Sequence, residues 1–568
     1  MNICKALICI AFLVSGAGTS SAQSVDNNDN KSHLIGQNIY RQGILPSGKP
    51  SKAFVMDDIP VSSTTFTCES CHRRSGLGSI EANIIVPPVN GRMLYKPQKS
   101  WDTWTRHSNK DKPSPESRDV PSFFLGQDQR PSYTDESLAH LIEMGTTPSG
   151  RKLNSVMPTY DFSNNDMYQL IRYLKYISSD YSPGVTDSKI HFATVITDDV
   201  SPIDRDAMLS VLETVIKDRN AQTRNQAKRA SKGAFIKREM DVGYRLASLD
   251  VWELKGSKET WPDQLEKYYK KKPVFALLGG ISEDTWSPIH EFSEKNNVPC
   301  IFPITDQPVV SSSNWNTLYF SKGLYQEGES TARYLRRRIV NSKKVRILQI
   351  FIENSDGALV AHGFEETWNK FKISPVENIS LQTKDLNSEE FWIKLIEPEG
   401  NEVILFWMDK GDLPSINTLS GMKQKPLMIF LSSGLIGNYI SSIPYRLRNI
   451  TYITYPYSLP GAKEKNLSVV KTWLKIKKIP VSNLNIQAKM YFLAWMLPEA
   501  LMEMNSEFYR DYFLESFDMM DDQTHSIAVY PRLSFGPYQR YLSKGCYIVQ
   551  LSKGPDVRLI KKGNWIIH

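Results

Sequence analysis

The sequence predicts a multidomain chain, an all-α domain at the front followed by a two-lobed α/β region. Three observations predict it. From about residue 34 to 180, short helical patterns alternate with loops rich in Gly, Pro and Ser, notably at 86–122, and strand alternation is scarce. From 190 onward, apolar strand-like runs alternate with amphipathic helical stretches, the texture of βαβ units and parallel sheets. That second stretch, 190–568, is long for one such sheet, so it divides into two lobes.

Composition agrees with a globular chain. The 568 residues are 40% hydrophobic and 23% charged, enough to bury real cores. The net charge of +8 is spread along the chain. "KYYKKK" (267–272) and "RRR" (336–338) read as solvated helix faces, not as the concentrated basic surface that nucleic acid needs.

Taken in order, residues 1–22 read as a signal peptide. Lys5 supplies the positive start, "ALICIAFLV" (6–14) the apolar core, and "SSA" before Gln23 the small-residue cleavage site. An uncleaved anchor is the alternative. No later apolar run reaches about 18 residues, so no transmembrane segment is expected in the mature chain, which is placed in the periplasm. Residues 23–33, "QSVDNNDNKSH", form a polar disordered linker. The front domain spans 34–180. It contains a helix over 135–144 and closes on a helix over 164–177, where Met167, Leu170, Ile171, Leu174 and Ile177 share a face and Ser163 or Asn164 caps the start. Residues 181–189 are a linker. Beyond it, strands are expected at 191–196, 274–279, 300–304, 345–352, 403–408 and 427–432, and helices at 202–218, 284–296, 325–341 and 356–371.

The front domain carries "TCESCHRRSG" (67–76). In Cys68-Glu69-Ser70-Cys71-His72 the thiols stand at i and i+3, on one helix face. They reach two vinyl groups on one porphyrin edge, and the next residue brings its imidazole under the iron. This is the signature of one covalently attached haem c. A zinc site wants a second ligand pair, and no other C-x-x-C exists in the chain. A thioredoxin-like pair wants a βαβ setting, which begins only after 190. As the second axial ligand the sequence offers Met157, in a loop held by Pro158; Met144 and Met167 compete, with core packing as their ordinary role. Cys4 and Cys9 leave with the signal. Cys300 lies in an apolar run and reads as a buried thiol, with pairing to Cys546 left open.

Residues 34–180 resemble a class I c-type cytochrome domain, on "CESCH", the "GLGS" after it, the "MP" at Met157 and the closing "LIRYLKYI". "RPSYTDESLAHLIEMGTTPSGRKL" (130–153) is similar to the helix and loop before the distal methionine of large bacterial members. The resemblance implies thioether links at Cys68 and Cys71, a proximal His72 and a distal Met157. The interval from His72 to Met157 is longer than in the smallest members.

Residues 190–568 resemble the type I periplasmic solute-binding proteins, in particular the branched-chain amino-acid receptors. The motifs are "FALLGGISEDTWSPIHEFSEKNNVPCIFPIT", "YFSKGLYQEGESTARYL" and "YPRLSFGPYQRYLSKGCYIVQL". The resemblance implies two lobes closing on a small amino-acid-like or organic-acid ligand. "GGIS" follows a strand and opens a helix, so Ser282 is placed to cap it, and a helix N-terminus attracts a carboxylate. The matching serine of the family holds the ligand carboxylate. Thr305 and Asp306 match the family's second ligand loop. Asp409 ends a strand of the other lobe, where it is placed to meet an ammonium group, or else is a plain turn residue.

No nucleophile elbow or phosphate loop is present: "GLIGN" (434–438) has no serine between its glycines, and "GGISEDTW" has no lysine. The expected protein is therefore not an enzyme. It is an electron carrier with periplasmic redox partners and a receptor-like region. The alternatives are a transporter's solute receptor with the haem as redox sensor, and a peroxidase-like haem enzyme.

Overall fold

In the computed structural model the described residues are 33–56, 58–81, 84–97, 130–230, 245–339, 345–373, 375–381, 389–397, 400–504, 507–520, 527–536, 538–553 and 557–567. The signal peptide and most of the polar linker lie outside them. None of the described helices is long and apolar enough to cross a membrane. The chain forms two compact units, 1–180 and 181–568.

The first unit is not all-α. Its helices are α1 (33–42), α2 (Cys68–His72), α3 (Gly91–Leu94), α4 (Asp135–Met144) and α5 (Asn164–Tyr176). Beside them β1 (Lys52–Val55) pairs antiparallel with both β2 (Ile59–Ser62) and β5 (Thr159–Asp161), and β3 (Ser79–Glu81) pairs with β4 (Ile84–Val86). These strands have three or four residues each, too few to register as alternation, and β2 contains a proline. α4 starts on a capping box in which Thr134 and Ser137 exchange side-chain and backbone bonds. α5 starts on Ser163, whose hydroxyl accepts the Asp166 N–H, and the five apolar positions of its stripe are all buried. They pack with Ile39, Tyr40, Leu138, Leu141 and Ile142 in one core.

The second unit holds two sheets. One has the order β7 (Leu246–Leu254), β6 (Lys189–Thr197), β8 (Ala276–Leu278), β9 (Cys300–Ile301), β10 (Thr317–Ser321), β16 (Tyr541–Ser543), all parallel. The other runs β12 (Glu377–Ser380), β11 (Arg346–Phe351), β13 (Glu402–Phe406), β14 (Met428–Ser432), β15 (Thr451–Tyr455) in parallel; β17 (Gly545–Leu551) then joins antiparallel and pairs with β18 (Leu559–Lys561) and β19 (Ile566–Ile567). The first sheet has a core on each face, one of them shared with α6 (Pro202–Ala230), α14 (Pro460–Lys477), α15 (Leu484–Met504) and α16 (Arg510–Asp518), and the second sheet has a core of its own. α9 (Leu324–Ile339) and α10 (Asp356–Asn369) cover the second. The region is thus a two-lobed α/β structure, and the chain passes between lobes near 322–323, 456–459 and 544.

In each sheet the first strand lies inside, with the next two strands on opposite sides. That arrangement creates a crevice outside the carboxyl ends of β6 and β8 in one lobe and of β11 and β13 in the other, where open α/β sheets bind ligands. Residues 182–184, expected as a linker, are tied into this unit: the Ser182 N–H bonds Phe508 O and the His191 N–H bonds Gly184 O. Cys300 and Cys546 are buried free thiols, one on β9 and one on β17. Burial pushes the Cys300 thiol up to about 12.

Candidate functional site

Each unit carries one candidate site. In the first, Thr67 nucleates α2: its hydroxyl accepts the Ser70 N–H at 3.2 Å, and the Ser70 hydroxyl donates to Thr67 O at 2.6 Å. The helix holds Cys68 and Cys71 one turn apart as free thiols. Its end is fixed by the Ser79 hydroxyl on Cys71 O at 3.0 Å and by the Gly78 N–H on His72 O at 3.1 Å.

His72 is 7% exposed, and its Nδ1 stands 2.9 Å from Pro87 O. A carbonyl only accepts, so Nδ1 carries the proton and Nε2 keeps its lone pair. Metal-binding histidines are oriented in this way. Burial lowers the His72 pKa, which favours the neutral imidazole. The Tyr160 hydroxyl donates to Phe66 O at 2.7 Å and brings β5 beside the motif; burial first, then the two thiols, push its phenol up.

Met157 is half-buried in the turn before β5, with its N–H on Asn154 O at 2.9 Å. Tyr160 bonds Phe66, at the entry to the motif, whereas among the described residues no hydrogen bond joins Met157 to His72. Of the competitors, Met167 is 4% exposed in the core, and Met144 is 61% exposed, so it is not the core residue the sequence allowed. Among the described residues no three His, Cys, Asp or Glu side chains gather as a metal site of the zinc kind. Two thiols on one helix face and an imidazole with a free Nε2 fit a covalent haem: Cys68 and Cys71 would hold the porphyrin edge and His72 the iron.

In the second unit the site grows from strand ends. After β8 come Gly279 and Gly280; Gly280 has φ +98°, and a Cβ there would meet the Trp286 ring at 2.7 Å. Ile281 adds one more rung, bridging Ile196 and Ile304. Ser282 follows, 5% exposed, with no hydrogen-bond partner for its hydroxyl among the described residues.

Ser282 does not cap a helix, contrary to the sequence expectation. Asp284 turns the loop, its carboxylate accepting the Thr285 N–H at 2.6 Å and its own N–H bonding Asp199 at 2.8 Å. The helix α8 (Ser287–Lys295) starts only afterwards, on Trp286 with a proline in its first turn. The Thr305 hydroxyl accepts the Gln307 N–H at 3.0 Å and folds its loop. Asp409 is a turn residue, accepting the Gly411 N–H at 2.6 Å.

It is more than that as well. Gln307 Nε2 donates across the lobes to Asp356 Oδ1 at 2.8 Å. Burial, and then the charges of Asp306, Asp284 and Asp409, raise the Asp356 carboxyl above its ordinary value. Carboxylates of both lobes therefore face one another, and the loops of Ser282, Thr305 and Asp409 meet around Asp356. Sequence reasoning missed Asp356 and Gln307. A strand end followed by a helix start was the available signal at Asp356.

Beneath this lies Glu327 on α9, buried, accepting the Ser433 N–H at 2.8 Å, the Gly434 N–H at 2.9 Å and the Thr454 hydroxyl at 2.6 Å. Burial outweighs these donors and pushes its carboxyl up to about 7. The folded state then holds this proton more tightly than the unfolded chain does. Stability is full below the unfolded pKa, falls as pH rises from about 4.5 to about 7, and is level above, a loss of about 3 kcal/mol. Glu327→Gln is expected to remove that slope. Urea midpoints at pH 5 and 7.5 check it, and a slope equal to wild type contradicts it.

No family model and no curated protein matches the chain. Its backbone is similar to solved structures. One is a branched-chain amino-acid ABC transporter from Thermus thermophilus with bound valine, at 10% identity and TM-score 0.44, covering 67% of this chain and 97% of that one. Another is an ABC transporter substrate-binding protein from Desulfitobacterium hafniense, at 12% identity and TM-score 0.45, covering 66% of this chain and 100% of that one. A third is a fatty-acid ABC transporter substrate-binding protein from Thermomonospora curvata, at 14% identity and TM-score 0.41, covering 68% of this chain and 95% of that one. At that distance neither ligand nor activity transfers.

Proposed function

We propose that residues 181–568 are the receptor for a small polar solute, amino-acid-like or an organic acid, held between two lobes and delivered to a transporter. The supporting observation is the 2.8 Å bond from Gln307 to Asp356, which joins two strand-end crevices where Ser282 keeps a buried hydroxyl unpartnered. No covalent step is required of this site. Closure would exclude water and hold the solute by polar groups from both sides. A thermal-shift screen of the full chain against amino acids, short organic acids and alcohol-oxidation products tests it. A true ligand at one hundred times its Kd stabilises the fold by about 2.7 kcal/mol. A screen in which nothing stabilises the fold turns the region into a docking scaffold.

A second reading concerns the first unit and is favoured by the His72 to Pro87 bond at 2.9 Å. We propose that this unit carries one haem c on Cys68, Cys71 and His72, with Met157 as the second axial residue, and exchanges electrons with periplasmic redox partners after export. When bound, the group supplies a one-electron couple whose potential a thioether ligand raises. The chain's own part is to hold the imidazole by Pro87, keep Nε2 unprotonated and pack Tyr160 beside the cysteines. Haem as a sensor of solute binding combines the two readings. The peroxidase-like alternative needs an open iron position, which Met157 as second axial residue would block.

A further inference from the structure

Lys489 lies on α15, and its neighbour Met490 packs against the exit of β8: a Cβ on Gly279 would meet the Met490 sulfur at 3.0 Å. The Lys489 ammonium is 5.8 Å from the Phe320 ring at the end of β10 and 5.7 Å from the Tyr530 ring. The Tyr457 ring, where the chain crosses back from the second lobe, is 6.0 Å from that of Tyr530. Phe320 and Tyr530 are buried. Lys489 is itself half-buried; an ammonium among aromatic faces is favourable, and a partly desolvated charge is stabilised further by a counter-charge. Among the described residues no carboxylate pairs with Lys489 at ion-pair distance.

We propose that Lys489 is the anchor for an acid group on the solute, placed between the carboxyl ends of β8 and β10 and the Tyr457–Tyr530 pair. This rests on the receptor reading and names its ligand class as carboxylates. Burial works against the lysine charge, but Tyr530 and Asp306 more than offset it, and the group sits above the ordinary lysine value. Lys463 on α14 is close enough for the two cations to oppose each other. Asp306, the nearby carboxylate, is itself exposed. Lys489 and Lys463 thus put positive charge at the base of the crevice, while Asp356, Asp284 and Asp409 put negative charge on the other side. A solute with its acid end toward Lys489 matches that polarity.

The test uses the full chain and acetate, succinate, glutarate and leucine, each beside its primary amide, with putrescine as a cationic control. Binding is read by thermal shift and calorimetry. At least one acid is expected to bind, with its amide weaker by at least about 30-fold. Lys489→Met is expected to lose a similar factor for the acid, and Lys489→Arg to recover part of it. The acid-to-amide ratio needs no variant, so it stands even if Lys489→Met misfolds. Amides that bind as well as acids, acid binding untouched in Lys489→Met, or a response to putrescine alone overturn the anchor and leave the receptor in place. No binding of any compound by folded protein overturns both.

Discussion

Replacing Arg510 by methionine is expected to destabilise the second unit by about 3–5 kcal/mol. The residue is 7% exposed. Its Nε donates to Phe275 O at 3.0 Å, its Nη1 to Asn296 O and Asn297 O, each at 3.2 Å, and its Nη2 to Pro183 O at 3.2 Å, Val274 O and the Tyr269 hydroxyl at 3.0 Å. One guanidinium thereby ties together the start of the second unit, the entry to β8, the turn after α8, and Tyr269 on α7 (Trp261–Lys271). Truncation leaves several carbonyls buried without donors, and a lysine has neither the fork nor enough N–H groups to replace it. Urea denaturation measures the loss. A loss below about 1 kcal/mol would show that water takes over the carbonyls.

The second large effect is all-or-none. Protein from a host that matures c-type cytochromes is expected to carry one haem by intact mass and pyridine haemochrome, and Cys68→Ala/Cys71→Ala to carry no covalent haem at all. A single substitution leaves one thioether. Met157→Ala is expected to lower the potential and admit external ligands, since the thioether is the ligand that raises it. Wild-type protein of unmodified mass from such a host removes the electron-transfer reading.

What the sequence made legible follows physical lines. α5 stood out because Met167, Leu170, Ile171, Leu174 and Ile177 repeat at helical spacing and all go into one core. The strands β6, β8, β11, β13 and β14 stood out as continuous apolar runs, because parallel strands are covered on both faces. β7 did not. It is an edge strand whose Asp250 and Glu253 are matched from outside it, by Lys272 at 2.7 Å and Arg205 at 2.7 Å, and no local pattern announces those partners. The sequence pattern ends a helix at 218, whereas α6 continues to Ala230 through polar residues that carry little periodicity.

The sites divide in the same way. Cys68, Cys71 and His72 are legible because their chemistry is local, five residues on one short helix. Their setting was less so: the Tyr160 contact and the Pro87 carbonyl come from 94 and 15 positions away in sequence. The crevice proposed for a solute draws on loops at 282, 305 and 409, which strand ends suggested, and on Asp356 and Lys489, which they did not. Asp356 reads as the first residue of a helix, and Lys489 in "NIQAKMYFLAW" reads as one polar position in an apolar helix. Only the approach of two lobes gives either a role.

The central claim is that the two lobes hold one solute. Titration calorimetry of the full chain with the solute that most raises its melting temperature tests it most directly. The account expects saturable binding of one molecule per chain, with a negative heat-capacity change as the lobes bury surface. Heats of dilution alone, or many weak and unsaturated sites in folded protein, would contradict it.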